Sequence, residues 1–185
     1  MAASTASASQ DAPLHRPRLL LEELQSDSRA SSIEAARELL LEYGCFVAAQ
    51  PSVASFCLGA LEEEAANLPY SYLDRSGGAM LATFDRRPVA FIAWRSLPVP
   101  ELSDAWELKR LWTRPEARGL GVGQALVEAV TARARAAGKT ALLLDTAPGV
   151  MAAAVRLYRR LGFEECPSYN GRSLDGIAYL SKSLL

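Results

Sequence analysis

Histidine is almost missing from this chain. His15, close to the start, is the only one among 185 residues. A Ser-His-Asp triad or a histidine-ligated metal centre needs imidazole beside a pocket, so both are set aside and no metal is expected. Cysteine is nearly as scarce: Cys45, Cys57 and Cys166 form an odd set without CxxC spacing. The simplest reading is reduced thiols in a cytoplasmic protein, more often buried as small hydrophobes than used as ligands. An excess of either charge is lacking too, with 20 Lys and Arg against 21 Asp and Glu and a formal net charge of −1. Nucleic acid and anionic membranes select strongly basic faces, so neither is an expected partner. Uncharged apolar runs stay short of the roughly 18 residues that a spanning helix requires. The opening MAASTASASQDA has neither the basic start nor the apolar core of a secretory signal. It is expected to be a disordered tail over residues 1–13, and 14–185 a single domain, since half of the residues are hydrophobic.

Periodicity outlines the domain. Arg18 to Leu21 reads as a short strand, and Ser31-Ser32 read as caps before the helical stripe Ile33, Ala36, Leu39 and Leu40. A second helix is predicted from Ser55 to Asn67 with Phe56, Leu58 and Leu61 inward, the Glu62-Glu63-Glu64 run being its solvated face. Ala79–Phe84 and Val89–Arg95 form an antiparallel hairpin around Asp85-Arg86-Arg87-Pro88. A strand over Trp106–Thr113 leads to a helix over Gly121–Ala137, stopped by Gly138. Ala141–Leu144 is an unbroken apolar strand of the kind buried on both faces. A helix over Val150–Leu161 and strands over Phe163–Cys166 and Ile177–Ser181 complete the chain. This order predicts an α/β fold, one mixed sheet with helices on both faces.

The chemistry concentrates where the 106–113 strand gives way to a basic loop and then to Gly119, Gly121 and Gly123, which open an amphipathic helix. Glycines without Cβ atoms let backbone N–H groups crowd round a ligand. A helix start leaves its first N–H groups unpaired and partly positive. Arg118 adds a full charge, and together these make a phosphate seat. A tight turn with close helix packing would use the same glycines, but the arginine and the helix start favour phosphate. The nucleotide P-loop fails, because Gly123 is followed by Gln124-Ala125 where Lys-Ser/Thr is needed. A Rossmann-type nucleotide enzyme is a fairer rival, since Asp145 ends a strand about where a ribose-binding acid would lie. Against it, Thr113 to Arg118 separate strand from glycine, no full G-x-G-x-x-G occurs, and only 40 residues follow Asp145.

Arg118-x-x-Gly121-x-Gly123 resembles the [QR]-x-x-G-x-[GA] pyrophosphate loop of the GNAT superfamily of N-acetyltransferases, and Ala154-Val-Arg-Leu-Tyr-Arg-Arg-Leu-Gly-Phe163 resembles its A-x-x-L-Y-x-x-x-G-F signature. The two lie in the right order and at the right spacing. The likeness covers residues 79–185 well and the first 75 only in helix pattern, a region that shapes the acceptor pocket in the family.

The resemblance implies a GNAT-like sheet with two splayed parallel strands holding acetyl-coenzyme A as co-substrate. Leu111, Trp112 and Thr113 would offer backbone to its pantetheine arm, and Arg118, Gly119, Leu120, Gly121, Val122, Gly123 and Gln124 would wrap its pyrophosphate. Asp145 would wall the gap or cap the next helix. The family's tyrosine at the place of Tyr158 protonates the departing thiolate, and a phenol of pKa about 10 can serve a thiol near 8.5. Tyr158 also lies on the apolar stripe Ala154, Leu157, Leu161, so plain packing is the competing role. The acceptor amine must lose a proton before attack. Glu107 matches a family position that often holds such a carboxylate, and it is equally placed to pair with Lys109 on the same strand face. Catalysis would come from orientation and from backbone stabilisation of the oxyanion, without a covalent enzyme intermediate.

Arg110 and Arg114 either steer the anionic cofactor or stay solvated, and the Tyr169-Asn-Gly-Arg172 loop either lines the acceptor site or simply turns. The implied activity is acetyl transfer to a small-molecule or peptide amine. A non-catalytic acyl-coenzyme A-binding domain is the alternative. Homodimers are common in the family, though no feature here fixes one.

Overall fold

The computed structural model describes residues 18–52, 54, 60–171 and 174–185. His15, Phe56, Cys57, Leu58, Arg172 and the expected tail lie outside them. Seven strands form one sheet in the order β1-β2-β3-β4-β5-β7-β6. They are β1 (Leu19–Glu23), β2 (Gly78–Phe84), β3 (Arg87–Ser96), β4 (Ala105–Thr113), β5 (Ala141–Thr146), β6 (Glu164–Glu165) and β7 (Ala178–Ser183). Among the described residues β4 and β5 are the one parallel pair. The mixed sheet with helices on both faces is therefore as the sequence implied.

The helices are α1 (Ala30–Ala48), α2 (Leu61–Ala66), α3 (Tyr70–Leu73), α4 (Val122–Ala136) and α5 (Ala152–Arg160). Helices α1 to α3 cover one sheet face, where Leu39, Leu40, Val47 and Tyr72 meet Leu81, Phe91 and Ala93. Helices α4 and α5 cover the other, where Val122, Leu126, Val130 and Tyr158 meet Ile92, Trp106, Leu142 and Leu144. A parallel neighbour needs a crossover, and α4 supplies it between β4 and β5. Its end is set by Gly138 at φ +71°, with the Lys139 N–H closing on the Ala134 carbonyl at 2.9 Å.

Local expectations shift in places. Asp85 and Arg86 both take positive φ and make a two-residue hairpin turn, so Arg87 and Pro88 belong to β3. Ser31 and Ser32 are not caps: α1 begins at Ala30 without a side-chain cap, and the Ser32 hydroxyl donates to Glu22. Glu62 and Glu63 are solvated as read, but Glu64 is 6% exposed and turns inward. Cys45 is exposed and not a buried hydrophobe.

Candidate functional site

Strands β4 and β5 pair only at Ala105↔Ala141, Trp106↔Leu142 and Glu107↔Leu143. Beyond Glu107 they part, and the backbone of 108–113 on that side has no strand partner. A β-bulge lies three residues beyond the last β4–β5 pair. Phe91 faces Trp112 and Ala93 faces Lys109, so Arg110 and Leu111 together oppose Ile92. Arg110 holds φ at +62°, a left-handed geometry costing a non-glycine residue about 1–2 kcal/mol. The extra residue bends the strand, as bulges beside functional sites do. Leu108, Lys109, Arg110 and Leu111 line the gap from β4, Asp145 and Thr146 from β5, Ala154 and Tyr158 from α5, and Tyr43 from α1.

At the far end of the gap the chain makes a cradle of amides. Gly119 and Gly121 take φ of +80° and +79°, and a Cβ built on either would meet only open space. Backbone conformation, not crowding, therefore demands glycine there. Gly123 differs, lying inside α4 with Leu157 and the Thr113 hydroxyl at 3.5 Å from its virtual Cβ. The N–H groups of Gly119, Gly121, Val122, Gly123 and Gln124 have no acceptor among the described residues, whereas Leu120 N–H reaches the Ala117 carbonyl at 3.4 Å and Ala125 N–H the Gly121 carbonyl. Five bare amides at a positive helix end, beside free space, fit a diphosphate. The side chains have other tasks. Val122 is core, and Gln124 donates to Glu128. Leu120 is exposed. Arg118 donates from Nε to the Thr113 carbonyl at 3.1 Å, and its guanidinium lies 5.0 Å from the Trp112 ring centre. The Trp112 indole packs on Phe46 and donates to Glu42, leaving only its backbone for a ligand.

Tyr158 lies 6% exposed between the α5 core and the gap, its ring 5.5 Å from Phe163. Its hydroxyl has no hydrogen-bond partner among the described residues. Burial pushes its pKa above the ordinary phenol value, and the nearby Tyr43 phenol and the Asp145 carboxylate push the same way. The phenol therefore stays protonated across the physiological range, as a proton donor must. Packing and an open hydroxyl coexist at this residue.

At the near end, where the strands still touch, polar side chains gather. Glu107 is 1% exposed and accepts from Arg95 Nε at 2.8 Å and from the Tyr169 hydroxyl at 3.0 Å. Lys109 Nζ stands 3.5 Å from Glu107 and 3.4 Å from Asp145. Burial alone would raise the Glu107 pKa, but Lys109, Arg95 and the Tyr169 hydroxyl outweigh it and hold the carboxyl below its ordinary 4.5. Burial and the Glu107 charge raise Tyr169, so its phenol remains a donor. Glu107 is thus charged, but a weak base by itself. The expected pairing with Lys109 is present, in a central strand and not at an edge.

Several side chains depart from expectation. Asp145 caps no helix; it lies within β5, and Met151 precedes α5. Arg110 is neither solvated nor steering. It is buried against Glu64, Nε to Oε2 at 2.8 Å. Arg114 donates to Glu42 and to the Pro88 carbonyl. Tyr169 does reach the site. Glu64, Tyr43 and Arg95 were missed, because nothing in their neighbourhoods marks them: each meets its partner only through the tertiary fold. Among the described residues no cluster of His, Cys, Asp or Glu suits a metal, and no helix is long and apolar enough to cross a membrane.

Residues 46–163 match the model of the acetyltransferase (GNAT) family. An uncharacterised N-acetyltransferase of Schizosaccharomyces pombe is 35% identical over 74 residues, 40% of this chain and 45% of that one. An IAA acetyltransferase of Azospirillum brasilense is 47% identical over 60 residues, 32% of this chain and 38% of its own. The aligned stretch thus spans less than half the length of these curated relatives. In fold the chain is similar to yncA of Salmonella typhimurium, solved with its cofactor acetyl-CoA, at a TM-score of 0.67 and 15% identity, covering 90% of this chain and 94% of that one.

Proposed function

The chain belongs to the acetyltransferase (GNAT) family, and on that premise we propose that it moves an acetyl group from acetyl-coenzyme A directly to an amine. One observation carries the reading: a parallel strand pair that parts just past Glu107 and leads to five unpaired amides at a helix start. The amides of 119–124 would hold the pyrophosphate, and the β4 backbone at Leu111, Trp112 and Thr113 the pantetheine arm. The Salmonella neighbour with bound acetyl-CoA supports this placement by its fold. Bound there, the co-substrate supplies an activated acyl thioester with a good leaving group.

The residues divide the remaining work. Tyr158, protonated and open to the gap, gives its proton to the departing sulfur, while the acceptor nitrogen sheds one to solvent and solvent reprotonates the phenolate. Glu107 and Asp145, both in contact with Lys109, form a charge-balanced polar cluster at the near end, where the acceptor nitrogen would be oriented by hydrogen bonds. An alkyl ammonium of pKa about 10.4 is about one part in 2,500 neutral at pH 7. Glu107 is held too acidic to strip it directly, so its part is orientation and relay through solvent toward the neutral amine. The acceptor class is an amine on a small molecule or peptide.

Thiol release from acetyl-coenzyme A across an amine panel tests the proposal. Turnover with at least one amine, falling sharply in Tyr158→Phe, is expected. Binding without turnover for every amine would leave an acyl-coenzyme A-binding module. Failure to bind coenzyme A would overturn the assignment.

A further inference from the structure

A bulge is a choice between two registers. Were Arg110 to return to regular strand geometry, β4 would slip by one residue, and Leu111, Trp112 and Thr113 would exchange faces. Trp112 would then leave Phe46 and Tyr43, and the free edge of β4 would no longer stand away from β5. Something must hold the left-handed residue in place, and no glycine is there to make it easy.

Helices α2 and α3 do so. The Arg110 side chain, 8% exposed, donates through Nε to Glu64 Oε2 at 2.8 Å, and the Glu64 side chain is equally buried. The same oxygen accepts the Tyr72 hydroxyl at 2.7 Å, and Tyr72 is 1% exposed. The grip is itself braced: Ser71 Oγ donates to the Glu64 carbonyl at 2.8 Å, and Arg37 Nε to the Ala65 carbonyl at 3.0 Å. The guanidinium also lies 5.7 Å from the ring centre of Tyr43, which lines the gap. A buried cation, a buried carboxylate and a buried phenol therefore meet at the bulge of β4, three residues beyond its last pair with β5.

We propose that Glu64, backed by Tyr72, is a positioning residue for the acyl donor: its hold on Arg110 fixes the β4 bulge and so sets how far β4 stands from β5. This rests on the gap being the donor's seat. Neither residue faces the reacting atoms. Their effect passes through the backbone of 110–113, which the pantetheine arm must match.

Calorimetric titration of the full chain with coenzyme A, together with thermal melts, tests it. Glu64→Gln is expected to weaken coenzyme A about tenfold or more, because a displaced β4 backbone loses at least one hydrogen bond to the pantetheine arm, worth about that factor. Tyr72→Phe, which keeps the ion pair, should weaken it about threefold and lower the melting temperature by only a few degrees. Replacing both partners by apolar groups, Glu64→Leu with Arg110→Met, should restore the melting temperature lost in Glu64→Gln but not the affinity, since a packed apolar pair can equal a buried ion pair in stability. Wild-type affinity in Glu64→Gln and Tyr72→Phe overturns the proposal, as does recovery of affinity together with stability in the double replacement. If Glu64→Gln does not fold, Tyr72→Phe decides alone. A wild-type chain that ignores coenzyme A overturns the donor seat and this inference together. Wild-type binding that the variants leave untouched overturns the inference only.

Discussion

The two ends of the gap are built on opposite plans. The far end, residues 118–124, is one continuous string that leaves five backbone N–H groups bare and holds Gly119 and Gly121 in the open. The near end assembles Glu107, Arg95, Lys109, Asp145 and Tyr169 from four separate segments and pairs each with another. An anion of fixed shape can be met by backbone alone, because amide donors need no side chain and do not titrate. A carboxylate that must stay ionised under cover needs partners, and the fold has to bring them from a distance.

The largest effects are expected at the bare end. Gly121→Val places a β-branched residue at φ +79° and a Cβ where the ligand would lie. The strain alone is about 1–2 kcal/mol, and with the blocked amides coenzyme A affinity should fall about a hundredfold or more. Gly123→Ala should change it by less than about threefold, since its new Cβ meets Leu157 and Thr113 at an ordinary 3.5 Å. Titration of both variants breaks the comparison if they lose affinity equally. Tyr158→Phe comes next and separates chemistry from binding. Removing a hydroxyl that touches no protein group should leave coenzyme A affinity within about twofold, while the maximal rate drops about a hundredfold.

That contrast also explains what the sequence made legible. Arg118-x-x-Gly121-x-Gly123 and the run from Ala154 to Phe163 each lie on one element and its flank, so residues adjacent in the chain are adjacent in the site. Arg110 to Glu64 spans 46 positions and Glu107 to Tyr169 spans 62, and no periodicity records such a meeting. Glu64 shows the difficulty plainly. Within Glu62-Glu63-Glu64 it looks like its neighbours, and only the turn of α2 sends it inward while the other two stay solvated. The bulge was hidden for a similar reason: its left-handed residue is an arginine in mid-strand, without a glycine or proline to announce it. The partial alternation of β4 marks it as a strand, but nothing in it marks the two residues that break the alternation.

The paired end answers to pH. Glu107→Gln leaves Arg95 and Lys109 without their buried carboxylate, and since both cations keep some solvent the loss should be about 2 kcal/mol of stability near neutral pH. Glu107 titrates below its unfolded value of 4.5, so its contribution is complete above that value and lost as pH falls through the lower folded one. The gap in stability between wild type and Glu107→Gln should therefore be constant from pH 7 to about 5 and close below about 4.5. A difference that persists into acid would show that Glu107 contributes by packing and not by charge.

Tyr169→Phe is the finest probe, because it leaves every charge in place and removes one donor, 3.0 Å from Glu107. The phenol lowers the Glu107 pKa, so its loss lets the carboxyl rise toward the ordinary value. About 1 kcal/mol of stability should go at neutral pH, and acid unfolding should begin at a higher pH than in the wild type. The same change makes Glu107 a slightly stronger base while freeing the 166–171 stretch that Tyr169 anchors. If Glu107 relays a proton from the acceptor, the pH at which the rate is half-maximal should move with the unfolding midpoint in Tyr169→Phe. If it only holds the acceptor, the KM for the amine should rise several-fold and the pH profile stay where it was.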